Sequence, residues 1–161
     1  MSKTRRELDA EARFRTYKAG FIKIYGRGPL DNEKIDDFGR EAFKTSWRGV
    51  SGQDRVDSDM KPGYYILNSY TPSSPGYHWV AMHVTSGGKV HVYDSYARSA
   101  ARVLMELGGR RKKENRAAMI DSDRSDAEQR GDTAVCGQLS LAWLMVVRDM
   151  GIRSALNLIL P

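Results

Sequence analysis

An α+β fold is predicted by three features of the 161-residue sequence. Two segments at the start have helical periodicity, a hairpin pattern occupies the middle, and a nearly all-apolar helix lies near the end. Residues 4–24 carry apolar positions at Leu8, Phe14, Tyr17, Phe21 and Ile24 and stop at Gly26, which predicts the first helix. Gly28-Pro29 interrupts the chain, and a second helix is expected from an Asp31 N-cap through Ile35, Phe38 and Phe43. Residues 44–62 are polar and rich in Gly, Asp and Ser, so they read as a long loop. A strand is expected over 64–70 and a turn over 72–76. Residues 77–84 and 90–94 then form a hairpin across Ser86-Gly87-Gly88-Lys89. A helix over 97–107, closed by Gly108-Gly109, precedes a basic loop, a short apolar segment at 117–120 and a polar connection over 121–134. Residues 138–150, apolar nearly all round and stopped by Gly151, predict a buried helix. The expected architecture is a small central β-sheet containing an antiparallel hairpin, flanked by helices.

The length suits a single domain with a real core. Within it, residues 1–27 form a basic N-terminal helix, 28–150 the core and 151–161 a C-terminal segment. Hydrophobic residues at 40% and charged residues at 29% exclude a disordered tail and a membrane protein. The N-terminus has charge but no apolar stretch of signal-peptide type, so secretion is not expected. The net charge of +6 is uneven: residues 1–27 hold eight Lys/Arg against three acids, and residues 110–116 hold five against one. Such patches fit a polyanion, although an ordinary solvated surface is the plainer reading.

The chain has one cysteine, Cys136, so it can form no intramolecular disulfide and no multi-thiolate zinc site. Cys136-Gly137 lies where a polar loop enters the most apolar helix. A thiol there faces unpaired backbone N–H groups and the positive end of the helix dipole, both of which favour thiolate. A small buried core residue is the plain alternative. A nucleophile needs a base, and His78 opens the first hairpin strand while His83 and His91 lie within the two strands. Asp94 stands at the far end of the partner strand, offset from His78 by about two residues or roughly 7 Å. It could therefore fix an imidazole tautomer. Gln129, seven residues before Cys136, could join the Cys136 backbone N–H in binding an oxyanion. Each of these residues alone is more simply structural or solvated; together they form a specific pattern.

The segments His78-Trp79-Val80-Ala81, Val92-Tyr93-Asp94-Ser95 and Gln129-x6-Cys136-Gly137 resemble the adenovirus-type cysteine proteases (adenains). That clan is shared with the ubiquitin-like-protein-specific proteases, and its chain order is His, Asp or Glu, Gln, Cys. Gly28-Pro29-Leu30, Trp47-Arg48-Gly49-Val50 and the run from Gly63 to Asn68 are also similar to adenain-like proteins of large DNA viruses, virophages and virus-like transposons. The resemblance spans about residues 28–147. It implies a capsid-maturation endopeptidase of the virion, acting in the host nucleus or cytoplasm on viral precursor proteins at Gly-Gly or Gly-x-Gly sites. In that role His78 is the base, Asp94 its orienting acid, Gln129 the oxyanion donor and Cys136 the nucleophile, with Trp79 and Gly137 at the substrate site. The chemistry needs no metal. A disulfide-linked activator peptide, as adenoviruses use, requires a second cysteine that this chain lacks; a non-covalent peptide stays open. DNA, a cofactor in that family, gives Arg5, Arg6, Arg110, Arg111, Lys112 and Lys113 a candidate role. The alternatives are a deubiquitinase-like or deSUMOylase-like enzyme cutting Gly-Gly tails, and a basic DNA-binding virion protein with a vestigial protease site.

Overall fold

The computed structural model describes residues 3–52, 61–71, 74–94, 119–121, 135–156 and 158. Helix α1 (Arg5–Tyr25) starts where the Thr4 hydroxyl accepts a hydrogen bond from the Glu7 N–H, 3.1 Å away. It ends at Gly26, whose φ of 82° is open to glycine at little cost and whose N–H closes the last turn on the Ile22 carbonyl. Helix α2 (Asn32–Phe43) starts at the expected cap, with the Asp31 carboxylate accepting from the Lys34 N–H at 2.9 Å. It buries Ile35, Gly39 and Phe43. A Cβ on Gly39 would come within 2.2 Å of the Trp47 ring, so only glycine allows that approach.

A short 3-10 turn (Lys44–Ser46) leads into β1 (Trp47–Gly52), which pairs in parallel with β2 (Gly63–Thr71). The expectation of an unbroken loop over 44–62 is thus corrected. Polar residues and two glycines disguise an edge strand whose pairing comes from the free edge of β2, not from its own sequence pattern. Its register shifts between Trp47 and Val50, around Gly49 with a φ of 92°.

Strand β3 (Ser74–Val84) pairs antiparallel with β2 from Gly63↔Val84 to Thr71↔Ser74. Strand therefore replaces the turn expected over 74–76. Strand β4 (Val90–Tyr93) returns across the predicted turn, where the Thr85 N–H donates to the Lys89 carbonyl at 2.9 Å. The apolar segment near 120 becomes β5 (Met119–Asp121), parallel to β4, so the described sheet is mixed and ordered β1-β2-β3-β4-β5. The helix expected over 97–107 lies outside the described residues.

Helix α3 (Cys136–Met150) begins two residues before the predicted start and is buried continuously from Cys136 to Val147. Gly151, with a φ of 89°, stops it, and α4 (Ile152–Leu156) follows. Side chains alternate along the strands, giving the sheet two buried faces. On one, Ile66, Trp79, Ala81 and Tyr93 join the core formed with α1, α2 and α3. Tyr93 stacks on Trp143 of α3 with ring centres 5.7 Å apart. On the other, Leu67, Val80, Met82, Val84, Val90 and Val92 form a separate cluster. This α+β arrangement sets the start of α3 against the middle of β3, at Trp79.

Candidate active site

Cys136 is the first residue of α3 and is 5% exposed. Its N-cap, Val135, has no side-chain acceptor, so no capping side chain competes for the first-turn N–H groups. The thiol is thus carried by the first residue of the helix, the terminus at which the dipole is positive. The Trp79 backbone N–H also donates to the Cys136 Sγ at 3.3 Å, joining residues 57 apart in sequence. A backbone N–H donor stabilises negative charge on sulfur, as does the helix terminus.

Trp79 is held from several sides. Its indole Nε1–H donates to the Leu30 carbonyl at 2.8 Å, and its own carbonyl accepts from the Ser140 hydroxyl at 3.2 Å. A Cβ on Gly137 would lie 3.1 Å from both the Leu30 side chain and the Trp79 ring, so that contact suits a residue without a side chain. Next along α3, Gln138 is fully buried and its amide nitrogen donates to the carbonyls of Gly26 and Gly28, each at 2.9 Å. The start of α3 therefore fixes β3 on one side and the connection between α1 and α2 on the other. Neither Gln138 nor Leu30 was expected in a site role. The fully apolar surroundings of Gln138 in the helix are the one signal that marks it in the sequence.

His78 occupies the β3 position before Trp79, paired with Ser69 of β2. Its backbone is thus one residue from the N–H that meets Cys136; its side chain lies outside the description. Asp94 directly follows β4 and is 3% exposed. Continuing the register by one pair from Ala81↔Tyr93 puts Asp94 opposite Val80, two positions from His78. The backbone offset is the one expected from counting along the hairpin. Gln129, Arg110, Arg111, Lys112 and Lys113 lie outside the described residues. Arg5 is exposed at the start of α1. Arg6 has structural partners: its guanidinium donates to the Ser154 hydroxyl at 2.8 Å and to the Met150 carbonyl at 2.5 Å, closing the end of α3.

The other two histidines face each other at the closed end of the hairpin, His83 on β3 opposite His91 on β4. Both Nδ1 atoms are buried without a hydrogen-bond partner among the described residues. Burial lowers the pKa of His83, and burial followed by the nearby His83 and Lys89 lowers that of His91 to about 4. Both imidazoles are neutral at physiological pH. His91 is buried, His83 is half-buried with its ring tilted 39° against Tyr64 at 4.7 Å, and both are remote from Cys136 along the strand.

Beside Trp79 lies a cleft of about 380 Å³, bounded by residues 29–32 and Asn68. A cavity of about 750 Å³ lies elsewhere, where Arg6 and Arg13 of α1 approach Asp149, and shares no lining residue with the cleft. Among the described residues no group of three His, Cys, Asp or Glu could hold a metal ion, and no helix is long and apolar enough to cross a membrane. Compared with known proteins, the chain matches no protein-family model, no curated protein and no solved structure.

Proposed function

We propose that the chain is a cysteine endopeptidase of adenain type, with Cys136 as nucleophile. The observation that carries this reading is the 3.3 Å contact between the Trp79 N–H and the Cys136 Sγ, which joins the residue after His78 to a thiol at a helix N-terminus. His78 takes the thiol proton, and Asp94 orients the imidazole. The thiolate attacks the scissile carbonyl, forming a C–S bond and a tetrahedral oxyanion bound by the Cys136 N–H and Gln129. Collapse breaks the C–N bond while protonated His78 gives its proton to the leaving amine. Water, deprotonated by His78, then attacks the thioester; the acid product leaves and the proton returns to the thiolate. Trp79 and Leu30 wall the cleft next to Cys136, which favours glycine in the substrate. Viral precursor proteins with Gly-Gly or Gly-x-Gly sites, cut during virion maturation, are the proposed substrates.

The test is alkylation of Cys136 by iodoacetamide across pH, alongside hydrolysis of apolar-x-Gly-Gly peptides. An activated thiol alkylates well below the pH at which a free cysteine does, and His78→Ala moves that profile towards the free-thiol range. Ordinary reactivity in both proteins, or normal turnover by Cys136→Ala, excludes the reading. Ubiquitin-type tails run in parallel separate a tail-cutting enzyme from one that acts on short sites.

A further inference from the structure

Asn68 stands in the middle of β2, directly across from Trp79. Asparagine is a poor strand former, so local preference does not account for it there. Alternation places it on the face of β2 that carries Tyr64 and Ile66, the face turned towards the helices. Those neighbours pack in the core, whereas Asn68 lines the cleft beside Trp79. Its Oδ1 is buried and accepts no hydrogen bond among the described residues. An unmatched amide oxygen is costly, and such groups in folded chains call for a reason.

We propose that Asn68 is a substrate-recognition residue, whose side-chain amide hydrogen-bonds the main chain of an extended, glycine-containing peptide in the cleft between Trp79 and residues 29–32. This rests on the endopeptidase reading of the same site and adds the residue that reads the substrate backbone. A carboxamide offers both a donor and an acceptor, the same pair that a peptide group presents. Recognition through the main chain is what a glycine allows, because it has no side chain to read. The Trp79 indole N–H is already committed to the Leu30 carbonyl, and the Asp31 carboxylate caps α2. Asn68 is thus a cleft side chain whose buried acceptor has no hydrogen-bond partner among the described residues. Through Trp79, this cleft adjoins the sulfur that attacks.

The experiment measures binding of a fluorescent apolar-x-Gly-Gly peptide to the full chain carrying Cys136→Ala, with and without Asn68→Ala or Asn68→Asp. Loss of one neutral hydrogen bond is expected to weaken binding about five- to tenfold for Asn68→Ala. Asn68→Asp keeps the acceptor and loses the donor, so it tells which half of the amide is read. In the chain with Cys136 intact, Asn68→Ala is expected to leave iodoacetamide alkylation unchanged and to keep or raise the melting temperature, since it removes an unmatched buried oxygen; this separates recognition from a fold effect. Unchanged affinity in Asn68→Ala, a parallel fall in alkylation and melting temperature, or no peptide binding at all would overturn the proposal. Asn68-dependent binding without hydrolysis by the wild-type chain would uphold the proposal and remove the endopeptidase reading. Hydrolysis with kinetics indifferent to Asn68→Ala would do the reverse.

Discussion

The two ends of the β3–β4 hairpin carry the same residue type in opposite circumstances. At the closed end, His83 and His91 oppose each other, neutral and without a partner on Nδ1 among the described residues. Towards the open end, His78 directly precedes Trp79, whose backbone N–H reaches the start of α3. The strand positions differ by only a few residues, yet one end is built by sheet packing and the other by the arrival of a helix terminus. An imidazole buried without a charged partner loses its proton readily, but it cannot act on a substrate it does not meet. Proximity of the backbone to Cys136, rather than residue type, separates the proposed base His78 from His83 and His91.

The largest expected effect breaks this contrast at the open end. Cys136→Ala and His78→Ala are each expected to lower peptide turnover by about three orders of magnitude or more. His91→Phe is expected to leave kcat/KM within about twofold, since its effect falls on packing far from the sulfur. Comparable losses in all three variants would dissolve the distinction between the two ends.

Next in size is Trp79→Ala, which removes a buried indole and its bond to Leu30. A cost of about 3–5 kcal/mol is expected in denaturant unfolding, together with loss of turnover. The closed end is tested by pH. The folded pKa of His91 is about 4, below its unfolded value near 6.5. Unfolded chains therefore bind more protons across that window, and stability falls as pH drops from about 6.5 to about 4. The His91 share is up to about 3 kcal/mol, and His91→Phe should flatten the slope of stability against pH in that range. An unchanged slope would mean that the closed end does not hold His91 neutral.

A smaller effect is expected from Gln138→Met, which removes the two bonds tying the Gly26 and Gly28 carbonyls to α3. Stability should fall by about 1–3 kcal/mol. Because residues 29 and 30 wall the cleft, peptide KM should rise more than kcat falls. The smallest is Thr4→Ala, expected to cost about 1 kcal/mol through the lost cap on α1 without touching turnover.

Legibility in the sequence followed the range of the interactions. Asp31, Gly26 and Gly151 mark helix ends through bonds within a few residues, so these boundaries could be read directly. The hairpin turn is local in the same way. Strand β1 was illegible because an edge strand takes its order from the neighbour it pairs with, and Trp47–Gly52 has no alternation of its own. Cys136 and His78 could be singled out by spacing and by resemblance to adenains. Asn68, Leu30 and Gln138 could not, although an asparagine inside an apolar strand and a glutamine inside an apolar helix are each a visible anomaly.

The sequence by itself determined the α+β class, the Asp31 cap and the glycine stops of the helices, the hairpin offset between positions 78 and 94, and a lone thiol at a helix start. All of these depend on neighbours in the chain. Only the tertiary structure decided that the Trp79 N–H lies on the Cys136 sulfur, that Gln138 ties down residues 26–28, and that Asn68 shares a cleft with Trp79. Those contacts close loops of many residues, and no local preference encodes them; they form because burying α3 against the sheet outweighs the entropy of bringing distant segments together.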